Sequence, residues 1–378
     1  MSIDQSLKEI RATARANRLS KPPVISYPHF GEYNVAINIL LSRIFHDAKV
    51  IEAPPMTKKT LAVGTLNSPE FVCVPYKYTM GNYIEAVAEG ANVLFQAAGG
   101  CRFGYYGELQ EQTLKDLGHE VRFVSLLNES TFKAKRFYVK MVEAGCTQSY
   151  LTFLRHFLFA VRAVLVIDRL GRFYRANAAF EKEKGTFKKA RVAMYKEITE
   201  AKSFFALPKI EKKYFKIYKS ILLNKPEKPL KVLIVGEIYC LLEPSSNHYL
   251  EDNLLKNNIE VHRHVDLEKG MLHNSYKDQA KMAGKTDGYI KYVLEADGTF
   301  SISSAVEVAK AGFDGIVHVK PFGCIPEISA MPPLIQISSD YKLPVLYFSF
   351  DSHTSETGIQ TRLEAFVDML AMKKDAST

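Results

Sequence analysis

The sequence predicts an α/β protein made of two Rossmann-like parallel-sheet domains joined by a helical insert. Three observations carry this: strand-like and helix-like segments alternate toward both ends, the same order of segments occurs twice, and the middle is helical and basic. At 378 residues the chain exceeds what one hydrophobic core ordinarily serves. The first α/β domain, with an N-terminal leader, is expected over 1–146, the basic helical insert over 147–228, and the second α/β domain over 229–378.

The elements follow in order. After a polar leader, PPVISYPHF reads as a strand and turn, EYNVAINILLSRIFHDA carries apolar residues at helical spacing, and AKVIEAP is strand-like again. The same strand–helix–strand order returns in KPLKVLIVGEIYC, HYLEDNLLKNN and IEVHRHV. A second correspondence joins GANVLFQAAGGC, a strand ending in Gly99, Gly100 and Cys101, to GFDGIVHVKPFGC, a strand ending in Phe322, Gly323 and Cys324. GHEVRFVSL and KLPVLYFSFD supply further strands. The latter is followed by a helix in TRLEAFVDMLAM, with Thr361 or a nearby polar residue as its cap. Between the halves, EKEKGTFKKARVAMYKE and KIEKKYFKIYKS read as basic helices and KPEKP as a linker.

Composition narrows the class. Apolar residues make up 47% and charged residues 24%, ordinary values for a folded protein and unlike those of a disordered chain. The leader mixes both charges and lacks the apolar stretch of a secretory signal. The most apolar segment, around Phe157 to Ile167, contains Arg162 and is too short to cross a bilayer of about 30 Å. It reads as a buried helix or strand, and the expectation is a cytoplasmic protein with no membrane segment. Five cysteines, an odd number, do not form a disulfide framework, so thiol chemistry or metal binding is expected of them. The net charge of +9 permits acidic partners of several kinds without choosing among them.

The cysteines carry the chemistry. Cys101 and Cys324 sit just past the carboxyl ends of corresponding strands, where open α/β sheets present ligands, although a tight turn with a buried thiol gives the same pattern. Cys73 lies in SPEFVCVPYK. No CxxC pair is present, which argues against a structural zinc site and against ferredoxin spacing. Glycines before Cys101 and Cys324 allow close backbone approach to a bulky inorganic group, while Pro75 and Pro326 stiffen the loops. Arg102, Lys77 and Lys320 would offset thiolate charge, or would be solvated surface groups, Lys77 above all. These features favour Cys73, Cys101 and Cys324 over Cys146 and Cys240, whose roles the sequence leaves open.

At these residues the chain resembles the 2-hydroxyacyl-CoA dehydratase D-component family and its acyl-CoA dehydratase activase-related members. The matching segments are SPEFVCVPYKYTMGNYIEAVAEGAN, GGCRFGYYGELQ, VGEIYCLLEPSSNHYLEDNL, HVKPFGCIPE and DSHTSETGIQTRLEAFVDML. The resemblance implies an oxygen-sensitive [4Fe-4S] cluster held by Cys73, Cys101 and Cys324 in the cleft between the two domains. Three thiolates would leave one iron open, which permits catalysis where four would serve electron transfer. It also implies an ATP-dependent activator of the actin and sugar-kinase superfamily as electron donor, and a homo- or hetero-dimer. Related double-cubane proteins need more cysteines than this chain contains. Nothing marks a CoA pocket or a substrate.

Other residues are secondary. VIVGEIY lacks a G-x-G-x-x-G fingerprint, so nicotinamide binding is not supported. Glu237 and Glu243 flank a strand end, as proton donors in a site or, more commonly, as helix caps. Asp351, His353 and Glu356 form a polar loop past another strand, with His353 the third catalytic candidate. His248, His262, His264 and His318 show no metal-ligand spacing. Three classes of function stand: an iron-sulfur enzyme or reductase component, a non-catalytic electron-transfer or cluster-binding accessory protein, and a nucleic-acid-binding protein. The interleaved aromatics of KKYFKIYKS fit a packed amphipathic helix better than base stacking, so nucleic acid is the least favoured partner.

Overall fold

The computed structural model describes residues 22–96, 101–126, 134–272 and 276–376. The leader and the glycines Gly99 and Gly100 therefore lie outside the described residues. The chain divides into two compact units, residues 1–72 with 76–163, and residues 73–75 with 164–378.

The first unit holds strands β1 (Val24–Ser26), β2 (Lys49–Val50), β3 (Val93–Gln96) and β4 (Arg122–Ser125) in one sheet, in the order β2-β1-β3-β4. Every pairing is parallel. Helix α1 (Asn34–Ile44) joins β1 to β2; α2 (Lys58–Leu66) and α3 (Val74–Ala88) precede β3; α4 (Tyr106–Asp116) precedes β4, and α5 (Ala134–Glu143) follows it. The core gathers Ile25, Leu41, Phe45, Phe95, Val124, Met141 and Phe153, so each strand buries its apolar residues beneath helices. Helices α2 and α3 cross at near backbone contact. A β-carbon on Gly64 would lie 1.7 Å from the Lys77 carbonyl oxygen, and one on Gly81 would lie 1.9 Å from that of Thr60.

Helix α6 (Tyr150–Asn177) runs 28 residues, and the division between the units falls within it. This corrects the expectation of a short apolar segment around Phe157 to Ile167. By length and composition alone α6 equals a membrane-crossing helix, yet it buries Asp168 and Arg175 against protein. The Asp168 carboxylate accepts the Glu268 N–H at 2.6 Å. Helices α7 (Thr186–Glu200) and α8 (Ala206–Ser220) follow. Tyr214 and Tyr218 of α8 face inward with Leu207 and Ile210, while Lys209, Lys212, Lys213, Lys216 and Lys219 stay outside. The aromatics of this basic helix are thus core residues, as an amphipathic helix requires. The linker residue Lys225 is tied down, bridging Glu260 at 2.8 Å and donating to the Ala176 carbonyl at 2.8 Å.

The second unit repeats the sheet. Strands β5 (Leu230–Gly236), β6 (Ile259–Arg263), β7 (Gly315–Pro321) and β8 (Val345–Phe350) lie in the order β6-β5-β7-β8, all parallel. Two elements unforeseen in the sequence follow β5: the short α9 (Ile238–Leu242) and a 3-10 turn over Pro244–Asn247. Then come α10 (Leu250–Lys256), α11 (Leu267–Leu272), α12 (Tyr276–Ala283), α13 (Gly298–Lys310), α14 (Ile325–Asp340) and α15 (Glu356–Asp375). Val235, Ile302, Val306, Ile316, Ala330 and Leu334 form its core. The start of α15 is capped by the Ser355 side chain, which accepts the Gly358 N–H, and not by Thr361.

Candidate functional site

In a parallel sheet the strand order reverses at one point, and the loops leaving the two strands there diverge to opposite sides and open a crevice at their carboxyl ends. In the second unit that point lies between β5 and β7, in the first between β1 and β3. Cys324 follows β7 and Cys101 follows β3, so the two cysteines occupy equivalent places in the two sheets.

Cys324 is the N-cap of α14, and Gly323 before it adopts φ +76°, the left-handed conformation that only glycine takes without cost. The Cys324 carbonyl accepts the Ile328 N–H at 2.8 Å, and Pro326 sits in the first turn, where a missing N–H does no harm. Cys101 is the N-cap of a 3-10 turn over Arg102–Tyr105 that runs into α4. Cys73 directly precedes α3 and belongs with the second unit. Each thiol therefore stands at the start of a helical segment, where unpaired N–H groups and the helix dipole favour negative sulfur. Cys101 is exposed, Cys73 and Cys324 are half-buried, and no disulfide occurs.

Large apolar side chains stand in solvent beside these cysteines: Phe71 is 93% exposed, Tyr105 75%, Phe322 70% and Ile325 62%. Lys77 is buried, which overturns its reading as a solvated group, and so is Lys320. Burial lowers the Lys320 pKa, opposed by Cys324, Glu327 and Cys240. Arg102 is exposed.

The two cysteines set aside differ from each other. Cys146 is packed into the first unit's core. Cys240 lies in α9, completely buried, and its backbone N–H donates to the Glu237 carboxylate. Its pKa is pushed well up, first by burial, then by the charge of Glu237 and by Cys73, with Cys324 adding to the rise. Glu237 caps α9, accepting the Tyr239 N–H at 3.0 Å and the Cys240 N–H at 2.9 Å, which is the capping use rather than that of a proton donor open to a substrate. Burial raises the Glu237 pKa against those hydrogen bonds. Glu243 likewise caps the 3-10 turn, accepting the Ser245 N–H at 3.2 Å. His353 lies exposed in the loop after β8, its N–H donating to Asp351 at 2.8 Å; Glu356 is exposed in the first turn of α15.

Sequence reasoning missed a buried polar group behind this crevice. His318 of β7 meets Glu327 of α14 at 2.8 Å, and the Ser301 hydroxyl donates to Glu327 at 3.2 Å. Asp297 accepts the Ile238 N–H at 3.0 Å, and burial with the charges of Glu237 and Glu327 pushes its pKa well up. Nothing local in the sequence distinguishes Asp297 or Glu327 from a surface acid; only the fold brings them together.

Among the described residues, one set of three ligating side chains brings its ligand atoms within 4.8 Å of one another: Asp168, Asp266 and Glu268. Arg172 bridges both Asp266 and Glu268, so this set is an ion-pair network. The cysteines form no such tight set. That spacing suits one ion, however, whereas thiolates on different irons of a cubane stand farther apart. No model of a known protein family matches this chain, and no curated protein matches it.

Proposed function

We propose that this chain is an iron-sulfur protein of the 2-hydroxyacyl-CoA dehydratase-like type, with Cys73, Cys101 and Cys324 as ligands of a [4Fe-4S] cluster. The supporting observation is that these three cysteines, and neither of the others, cap or directly precede helical segments beside exposed apolar side chains. Such a cluster, with one iron lacking a thiolate, supplies low-potential electrons and a binding position for a substrate oxygen. The chain's own contribution is positional. Helix-start N–H groups would stabilise the sulfurs, and the buried Lys320 would offset their charge.

The reaction class is reductive: dehydration or the reduction of a small molecule, driven by an ATP-dependent activator of the actin and sugar-kinase superfamily. The proposed location is the cytoplasm, and the proposed working form a homo- or hetero-dimer. A second reading is a non-catalytic electron-transfer or cluster-binding accessory protein.

Anaerobic reconstitution with iron and sulfide, followed by metal analysis, visible absorption and EPR, tests the proposal. A brown, oxygen-sensitive protein with about four irons per chain is expected. A colourless, iron-free protein after reconstitution rejects it.

A further inference from the structure

Helix α8 carries its charge on one face. Lys209, Lys212, Lys216 and Lys219 recur at helical spacing and are all exposed, opposite the buried Leu207, Ile210, Tyr214 and Tyr218. Phe205, the residue before the helix, has φ −73° and ψ −11°, so its backbone is already helical and it continues that row one turn ahead of Lys209. It is 76% exposed. The row therefore extends about 21 Å along the helix, with a phenyl ring at one end and four ammonium groups behind it.

The groups around the row leave it cationic. Lys213, beside it, pairs with Glu197 of α7 at 2.6 Å, and Glu211, the acid of α8, pairs with Arg169 at 3.2 Å. Among the described residues, none of Lys209, Lys212, Lys216 and Lys219 forms an ion pair. At the apolar end the Ser203 hydroxyl accepts the Phe205 N–H at 3.2 Å, and the Phe204 ring stands edge-on to that of Phe205 at 5.9 Å. Two exposed phenyl groups thus share the turn between α7 and α8.

Every cation on α8 is a lysine. Arginine is the residue of bidentate phosphate and carboxylate recognition, and lysine is depleted at protein interfaces. Base stacking would need rings interleaved with the charges, whereas Tyr214 and Tyr218 are buried. Lysines on long stems beside an exposed phenyl suit a partner whose charges move laterally and whose interior is apolar. We propose that this face of α8 lies on anionic lipid bilayers, the four lysines meeting acidic headgroups and Phe205 entering the boundary between headgroups and acyl chains. The helix rests on the membrane and does not cross it, and the proposal stands apart from the cluster reading.

Full-length protein is sedimented with vesicles of phosphatidylcholine, alone or with about 30% phosphatidylserine, in about 0.1 M sodium chloride. Binding is expected to the anionic vesicles only, and its loss at about 1 M salt. Lys212→Gln combined with Lys216→Gln should weaken it about 25-fold, about fivefold for each lysine. Phe205→Ser should weaken it about tenfold. Lys281→Gln combined with Lys285→Gln, two exposed lysines elsewhere, should bind as wild type. No binding to anionic vesicles, or equal weakening in this control pair, overturns the proposal.

The chain contains no tryptophan, so Phe205→Trp introduces a single reporter at an exposed position. Its emission is expected to shift to the blue on anionic vesicles and to stay unchanged on neutral ones. Vesicle-bound protein with unshifted emission rejects the insertion of this face. Duplex DNA supplies the competing arm. If it binds wild type more tightly than the anionic vesicles do, and Phe205→Ser leaves vesicle binding unchanged, the row is a nucleic-acid surface and the proposal fails.

Discussion

A thiol at the start of a helix and a thiol inside a core are chemically different groups, and this chain contains both. Cys73→Ala, Cys101→Ala and Cys324→Ala are each expected to lose most of the reconstituted iron, whereas Cys146→Ala should keep it at a cost in stability of about 1 kcal/mol; iron analysis and thermal melting check both. His264 offers a separate test. Burial, with the charge of Lys269, lowers its pKa to about 3, whereas an unfolded histidine takes up its proton near 6.5. Above that pH neither state is protonated and stability is whole. Between about pH 6.5 and 3 the unfolded chain binds a proton that the folded one refuses, so stability falls on acidification. His264→Phe should flatten this slope in urea titrations at stepped pH. The pair of His318 and Glu327 is fully buried, so His318→Ala leaves the Glu327 carboxylate with the longer Ser301 hydrogen bond in place of its closest contact and is expected to lower stability by about 3 kcal/mol.

Elements in this protein are positioned by places where a side chain cannot be. Gly64 and Gly81 let α2 and α3 touch, so Gly64→Ala forces the helices apart and should destabilise by about 3 kcal/mol. Gly358→Ala, in the first turn of α15 with only ordinary contacts around it, should be neutral or stabilising by about 0.5 kcal/mol; chemical denaturation of the pair decides it. Neither glycine contact was legible in the sequence, because both depend on which helices cross. The strands were legible for the opposite reason. VLIV in β5 is an uninterrupted apolar run and IVHV in β7 is one broken by His318 alone, the signature of strands covered on both faces, and they need no tertiary knowledge to be recognised. Helix α9 went unforeseen because five residues after a strand carry too little periodicity to separate helix from turn. The full length of α6 was obscured by its charges, Asp168 and Arg172 among them, which pair within the fold and do not end the helix.

For the molecule as a whole, the sequence made the doubled α/β plan readable. Cys101 and Cys324 were singled out because they follow corresponding strands. Glu237 was noticed for its place after β5 and as a helix cap, which is its use at the start of α9. Asp297, Ser301 and Glu327 went unseen because they converge from α13 and α14 and the loop before them. The two sheets share one strand order, yet the loops leaving corresponding strands differ: four residues past the end of β5 stands Cys240, whereas the corresponding position past β1 is Phe30. A shared sheet plan thus leaves each half free to present different side chains on its loops.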